Sequence, residues 1–370
     1  MGPTKAYILH GHLRHNLKLI REAVSPAKVM AVVKADAYGH GSVETARTLL
    51  DNGADYLGVA FVEEGIELRK AGITAPILVF GAQLEEFFVE HLLYDLELTL
   101  SRREQIEPLR AACRKLKKKA RIHIKIDTGM GRIGFMAEDD LHPVFKLLSD
   151  KWIEVTGVYS HLSSADEEDL SSVNGQIEKF KLVQQLFKKH THKKILFHLA
   201  NSAAIMRLPE AYFDLVRPGI MLYGNPPGPD FNLTWDLKEA MRFESKVAAI
   251  KTLPANHPVS YNRRFYTKEP TQIAVIPAGY ADGYNRLLTN IGEVLIRGKR
   301  YPVVGTVCMD QFLVNLGPET PVKTGDTVVL FGKQKEAHIS ITEVSRKLHT
   351  IPYEVTCRIS GRVARVHLKE

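Results

Sequence analysis

The strongest constraint on this chain is a repeated alternation in its first two thirds. Short runs rich in β-branched residues occur at Val29–Val33, Tyr56–Ala60, Pro76–Phe80, Leu96–Leu100, Arg121–Ile126, Ile153–Tyr159, Ile195–Leu199 and Leu215–Val216. Between them lie amphipathic stretches such as Val43–Leu50, Glu63–Lys70 and Ile177–Lys188, with apolar residues at three-and-four spacing. Roughly eight strand–helix units in this length is the count of a (β/α)8 TIM barrel. A doubly wound open sheet shares the alternation and is the alternative.

Near Lys238 the pattern changes. Short alternating runs punctuated by Gly and Pro follow at Lys246–Ile250, Gln272–Ile276, Val294–Arg297, Pro302–Val307, Phe312–Leu316 and Thr327–Phe331, with one helical stretch at Ile341–Leu348. This is the pattern of a separate, mainly β domain. The expected organisation is therefore a barrel over 11–237 and a β domain over 238–370, with the strand Ala6–His10 (within 1–10) free to join the second. The chain has 370 residues, 45% of them hydrophobic, enough to bury two cores without covalent staples.

Three cysteines at wide spacing, Cys113, Cys308 and Cys357, give neither a disulfide framework nor a zinc motif, and they fit a reducing cytoplasm. The N-terminal segment shows no secretory signal, and no apolar run reaches the length of a membrane span. The formal charge of +8 raises the question of a nucleic-acid partner. The densest basic run, Lys115, Lys117, Lys118, Lys119 and Arg121, sits at the end of a predicted helix, where cations complement the dipole. No aromatic residues interleave it, so nucleic acid is not expected as a partner, and without a membrane-length apolar run neither is a membrane. The 15 histidines form no H-E-x-x-H or related set, and no metal is expected.

Catalytic groups of barrel enzymes come from the C-terminal ends of the strands. Lys34 follows the first predicted strand directly, in Lys34-Ala35-Asp36-Ala37-Tyr38-Gly39-His40-Gly41. It is either a lysine whose aliphatic stem lies along apolar surface or an amine desolvated to attack an aldehyde. Lys125-Ile126-Asp127-Thr128-Gly129-Met130-Gly131-Arg132 follows the fifth, a Gly-rich loop that brings Arg132 to a position for gripping a carboxylate or phenolate. His161 follows the sixth, Ser202 the seventh, and Arg217-Pro218-Gly219-Ile220 the eighth. The loops after strands seven and eight are where this fold builds phosphate sites, and Ser202 with the Gly219 and Ile220 N–H groups suits that role. Each fragment alone has a bland structural reading. Together they place a lysine, two arginines, a histidine and a phosphate-type loop at five predicted strand ends. The β domain adds Tyr261, Tyr280, Met309, Asp310 and Tyr353, all in predicted loops.

In this order, these segments resemble the alanine racemase family, and the K-A-D-A-Y-G-H-G segment around Lys34 is similar to its cofactor-binding signature. The resemblance implies a TIM barrel followed by a β domain, pyridoxal 5'-phosphate as cofactor, and a homodimer with shared active sites. It implies that Lys34 holds the cofactor and that Arg217, with His161 behind it, meets the pyridine nitrogen. Tyr38, Ser202, Gly219, Ile220 and Tyr353 are then the phosphate ligands. Arg132 reaches the phenolate and the substrate carboxylate, and the Met309 N–H holds that carboxylate. Lys125 matches a lysine often carbamylated in the family, which steadies the arginine. Tyr280 and Tyr353 narrow the entrance, and Asp310 is a supporting residue. Two departures stand out: Asn262 where the family commonly has Gly, and Asn315 where Asp is usual.

The implied reaction interconverts L- and D-alanine, supplying D-alanine for peptidoglycan. Moving a proton between the two faces of Cα calls for two bases, and Lys34 and Tyr261 are the candidates. A serine or broad-specificity racemase is the alternative. A decarboxylase of the same architecture typically carries Glu-Pro-Gly-Arg where this chain has Arg217-Pro218-Gly219-Ile220. A non-catalytic pyridoxal-phosphate-binding protein lacks the β domain altogether.

Overall fold

The computed structural model describes residues 2–137 and 141–369, and the chain forms two compact units. One contains Arg14–Ala37 and Ser42–Leu222. The other contains the chain from Tyr223 onward, the N-terminal segment through Leu13 and the short turn Tyr38–Gly41.

The first unit is a barrel. Its parallel strands are Lys28–Val32, Tyr56–Val59, Ile77–Val79, Glu97–Leu100, Ala120–Asp127, Ile153–Tyr159, Leu196–His198 and Leu215–Val216, here called strands one to eight of the barrel. They pair in chain order, and the eighth pairs back onto the first. Between seven and eight the ladder is replaced by two single bonds, from Asp214 N–H to Phe197 O (2.9 Å) and from Arg217 N–H to Ala200 O (3.0 Å), so the sheet is nearly closed. Met30, Leu78, Tyr159, Leu196 and Leu215, drawn from five different strands, form one buried cluster. Crossover helices supply the other side. The longest, Ser171–His190, buries Val173, Ile177, Phe180, Val183 and Phe187 along one face and ends on Lys188, Lys189 and His190, where cations meet the negative end of the dipole. It starts a turn and a half before the expected Ile177, because its apolar face already begins at Val173.

The second unit is mainly β. One sheet runs Lys299–Pro302, Glu293–Ile296, Thr327–Gln334, Met241–Lys246, Lys5–Leu9 and Ala364–Leu368 in spatial order. The N-terminal strand Lys5–Leu9 thus lies inside this sheet, antiparallel to Met241–Lys246 and parallel to Ala364–Leu368. A second sheet joins Ala249–Leu253, Thr271–Ile276 and Phe312–Gly317. The expected strand Pro302–Val307 is not formed. The chain there leaves the strand Lys299–Pro302, touches Phe312–Gly317 through the single bridge Val303–Val314, and becomes a loop. Two short helices, Ile341–Lys347 and Pro352–Cys357, complete the unit.

Phe243 is buried in this unit with its ring 5.4 Å from that of Phe331. Phe243→Ala should cost about 3–5 kcal/mol by denaturant unfolding, whereas Leu182→Ala, at a position 60% exposed on the long barrel helix, should change stability by less than about 0.5 kcal/mol.

Candidate active site

Lys34 opens the turn Lys34–Gly39 directly after barrel strand one. The next four residues, Ala35, Asp36, Ala37 and Tyr38, have φ of +53°, +52°, +52° and +55°. The turn is therefore left-handed over four consecutive non-glycine residues, a conformation that costs roughly 1–2 kcal/mol per residue. Strain of this kind persists only where surrounding contacts enforce it, and it concentrates at functional sites. In the barrel unit the enforcing contacts include Ala37 N–H to Val33 O (2.9 Å) and Ser42 N–H to the Asp36 carboxylate (2.7 Å). In the β unit, the Tyr38 ring lies 4.8 Å from Tyr223 and 5.7 Å from Tyr353, and the Gly39 carbonyl accepts from Arg365 Nε (3.1 Å). A side chain at Gly39 would meet the Thr356 carbonyl oxygen at 2.3 Å.

Barrel strand five delivers a second lysine. Lys125 is buried, its Nζ donates to Ile126 O (2.7 Å), and the ammonium sits 5.5 Å from the centre of the Tyr159 ring. Burial, with Arg217 and Arg132 nearby, outweighs the attraction of Asp127 and pulls its pKa down to about 7. Two residues on, Asp127 shapes the following loop. Its carboxylate accepts from the N–H groups of Gly129 (2.8 Å), Met130 (2.8 Å) and Arg132 (3.1 Å), which fixes the backbone from which Arg132 projects.

Arg217, just after strand eight, is a second buried cation of the barrel mouth. Its Nη2 donates to Ser160 O (2.8 Å), Leu199 O (2.9 Å) and His161 Nδ1 (3.3 Å), and Nη1 to His198 Nδ1 (3.0 Å). Its guanidinium lies 5.4 Å from the centre of the Tyr159 ring, which stacks on His198 at 4.9 Å. Among the described residues no carboxylate pairs with Arg217 directly, and burial lowers its pKa to about 10. His161 is held neutral, well below the ordinary histidine value, by desolvation first and then by Arg217, Arg132, Lys125 and Lys34. Four cations therefore converge on one histidine at the C-terminal end of the barrel.

The negative charge that offsets Arg217 lies further down. His198 Nε2 is 2.7 Å from His123 Nδ1, and His123 Nε2 is 2.7 Å from Glu97 Oε2. A guanidinium can only donate, so His198 Nδ1 must accept and Nε2 must carry the proton. The same reasoning puts the proton of His123 on Nε2, pointing at the carboxylate. The chain Arg217–His198–His123–Glu97 thus has one allowed direction, and all four members are buried. Burial raises the Glu97 pKa, but the bonds from His123 and Thr156 and the charge of Arg121 outweigh it and leave the carboxyl below its usual range. Gly157 on strand six leaves room for this chain, since a Cβ there would come within 2.2 Å of His123 Nδ1.

Ser202 opens the short helix after strand seven, capped by Asn201, and its hydroxyl accepts from Gly219 N–H (2.9 Å). Gly219 is followed by buried Ile220, which begins the turn Ile220–Tyr223. Lys34, Lys125, Arg132, His161, Ser202, Arg217, Gly219 and Ile220 all belong to the barrel unit.

The remaining candidates form their own constellation in the β unit. Tyr261, Tyr280, Cys308, Met309 and Asp310 line one open concavity of about 710 Å³, together with Arg286. Tyr261 is 69% exposed and Met309 52%. The rim is interlocked. Thr306 Oγ1 donates to Tyr261 O (2.8 Å), and the N–H groups of Tyr280 and Ala281 donate to the carbonyls of Cys308 and Met309 (3.1 Å each). Arg362 bridges Asp282 (2.7 Å) and Asp310 (2.7 Å). Asn262 adopts φ +62°, ψ 10°, a left-handed conformation that asparagine tolerates better than most residues, so the turn beside Tyr261 forms without glycine. Asn315 accepts from Thr271 Oγ1 (2.8 Å) and Gly317 N–H (2.9 Å).

A (β/α)8 barrel whose mouth holds a lysine, two arginines and a phosphate-type loop, joined to a β unit with an exposed tyrosine, defines a class of two-domain barrel enzymes. The comparisons with known proteins specify which. Family models described as alanine racemase, N-terminal domain, and alanine racemase, C-terminal domain, match residues 8–227 and 240–367. The chain is 44% identical over 371 residues to alanine racemase 2 of Caldanaerobacter subterraneus subsp. tengcongensis, covering 99% of this chain and 95% of that one. The crystal structure of alanine racemase from Streptomyces lavendulae superposes with a TM-score of 0.95 at 36% identity, covering 100% of this chain and 98% of that one. That of alanine racemase from Bacillus anthracis with bound L-Ala-P does so at 0.93 and 36%, covering 100% and 96%. This chain belongs to the alanine racemase family, whose curated members are isomerases.

Because the folded-state pKa of Glu97 lies below its ordinary value of 4.5, its contribution is fully present above about pH 4.5 and is lost as pH falls further. Glu97→Gln should be less stable than the parent by about 3 kcal/mol at pH 7, and the gap should narrow in urea titrations run below pH 4.5. A gap that does not vary with pH would contradict the ionised Glu97 terminus.

Proposed function

We propose that this chain interconverts L- and D-alanine, with pyridoxal 5'-phosphate held on Lys34 and with Lys34 and Tyr261 carrying the proton on opposite faces of Cα. The observation that supports this reading most is the cation cluster of the barrel mouth. Arg217, in direct contact with no carboxylate among the described residues, acts on His161 together with Arg132, Lys125 and Lys34, and one remote Glu97 does not neutralise four cations, so the mouth suits an electron-rich, anionic occupant.

The residues fit the cofactor group by group. Lys34 offers an amine for the aldehyde. Arg217, a donor only, would meet the ring nitrogen without giving up a proton to it, and His161 is bonded to its Nη2. Ser202, the N–H groups of Gly219 and Ile220, Tyr38 and Tyr353 are the residues that would take the phosphate. When bound, the cofactor supplies the electron sink that makes the Cα proton of alanine acidic. Arg132 holds the substrate carboxylate, with the Met309 N–H as a second donor and Asp310 steadying that loop through Arg362. Lys125, with a substantial uncharged fraction at neutral pH, is suited to carbamylation and would then steady Arg132. Tyr280 and Tyr353 restrict the entrance.

The substrate reading is supported by the relatives named above, and by the L-Ala-P bound to the Bacillus anthracis protein. Among the described residues no helix is long and apolar enough to cross a membrane, and all three cysteines are free. A cytoplasmic enzyme that supplies D-alanine for peptidoglycan fits both. The proposed assembly is a homodimer with shared sites. Each unit exposes apolar residues around its own catalytic groups: Phe61 (64%), Leu84 and Met136 after barrel strands two, three and five, and Tyr261, Leu287 and Met309 on the β unit. A second copy would cover both sets reciprocally under two-fold symmetry.

A chiral assay over a panel of amino acids with added pyridoxal 5'-phosphate tests the reaction. Alanine should equilibrate from either enantiomer at least about tenfold faster than serine, and Lys34→Ala should lose about a thousandfold or more. Serine turned over as fast as alanine would favour the broad-specificity reading.

The shared site is tested by unfolding Lys34→Ala and Tyr261→Phe together and refolding the mixture. With shared sites, each mixed dimer has one intact site, and activity should return to about a quarter of the parent's, assuming random pairing. A mixture that stays inactive, with mixed dimers confirmed by mass, would reject the shared site.

A further inference from the structure

The first N–H groups of any helical turn have no partner within the turn. In an ordinary helix a side chain at the N-cap supplies one. The left-handed turn after barrel strand one begins on Lys34, whose ammonium can only donate. The Ala35 N–H is instead accepted by Glu64 Oε1 at 2.6 Å. Glu64 belongs to the helix Val62–Lys70, which follows barrel strand two, and its other oxygen is also engaged. Oε2 accepts from the N–H groups of Ala60 (2.7 Å) and Phe61 (3.1 Å). One carboxylate therefore ties the loop after strand one to the loop after strand two, with one oxygen committed to each.

We propose that Glu64 is a positioning residue for Lys34: by accepting the Ala35 N–H it fixes the Lys34–Ala35 peptide plane and so aims the lysine from a turn that would otherwise relax. The role rests on the reading of Lys34 as the cofactor lysine, but the geometry that assigns it does not. At the far end of the same turn, Asp36 accepts the Ser42 N–H at 2.7 Å, so the exit is held separately. The entry has Glu64. Glutamine is a poor substitute although nearly isosteric. It has one acceptor oxygen, and if that serves Ala60 and Phe61, the amide N–H groups face the Ala35 N–H.

The test is hydrogen exchange by mass spectrometry on the full chain, with and without bound pyridoxal 5'-phosphate, in the parent, Glu64→Gln and Glu64→Ala. Peptides covering 33–38 should exchange about tenfold faster in both variants, in both forms of the protein. In racemisation, kcat should fall about tenfold with KM for alanine within about twofold, since substrate contacts are untouched. Faster exchange confined to peptides over 60–66, or exchange at 33–38 equal to the parent's, would show that Glu64 only caps its own helix and would overturn the proposal. Glu64→Gln keeps the test decisive where Glu64→Ala folds poorly. A parent that neither binds the cofactor nor racemises alanine would sink the reading of Lys34, while the exchange data on the unloaded chain would still decide the role of Glu64.

Discussion

A guanidinium buried at the mouth of a parallel barrel is expensive to desolvate, and the arrangement around Arg217 is built to meet that cost. Its direct partners are neutral: two carbonyl oxygens and two imidazole nitrogens. The compensating charge is Glu97, reached through His198 and His123. Placing the carboxylate two residues away rather than in contact has a chemical consequence. A directly paired carboxylate would saturate the arginine and bring a proton acceptor to the mouth. A neutral imidazole instead polarises Arg217, fixes its rotamer and leaves the mouth positive.

That positive mouth organises the rest of the barrel unit. Burial first, and these neighbouring cations after it, lower Lys125 toward neutrality and hold His161 uncharged. Tyr159 serves both cations, its ring centre lying 5.5 Å from the Lys125 ammonium and 5.4 Å from the Arg217 guanidinium. The Asp127 carboxylate is occupied by three backbone N–H groups and acts as a scaffold. The β unit contributes an exposed tyrosine on a rim braced by Thr306 and Arg362. The barrel unit thus concentrates cations, and the β unit presents an exposed phenol.

Much of this was legible in the sequence. The eight β-branched runs fall on the eight barrel strands, and Lys34, Arg132, His161, Ser202 and Arg217 were picked out by their places at strand ends. The buried chain was not legible, for a physical reason. In Arg121-Ile122-His123-Ile124-Lys125-Ile126-Asp127 the alternation looks like a half-exposed strand with its polar face in water. In the barrel His123, Lys125 and Asp127 are buried, and only partners from other strands, Glu97 and His198, reveal why. Glu97 itself is the first residue of its strand and looks like a surface charge at a strand end. The handedness of the turn at Ala35–Tyr38 was equally hidden. Alanine, aspartate and tyrosine carry no local preference for positive φ, so the conformation is imposed by contacts distant in sequence. The loss of the expected strand over Pro302–Val307 has the same origin, because its residues have strand propensity but past Pro302 only Val303 finds a bridge partner.

The direction of the buried chain can be observed directly. In protein labelled with 15N at histidine, one- and two-bond couplings report which ring nitrogen bears the proton. The structure predicts that at pH 7 both His198 and His123 carry it on Nε2, and that the Glu97→Gln variant loosens the assignment at His123 first. A proton on Nδ1 of His198 would leave two donors facing each other at Arg217 and would contradict the account of how the barrel holds its buried charge.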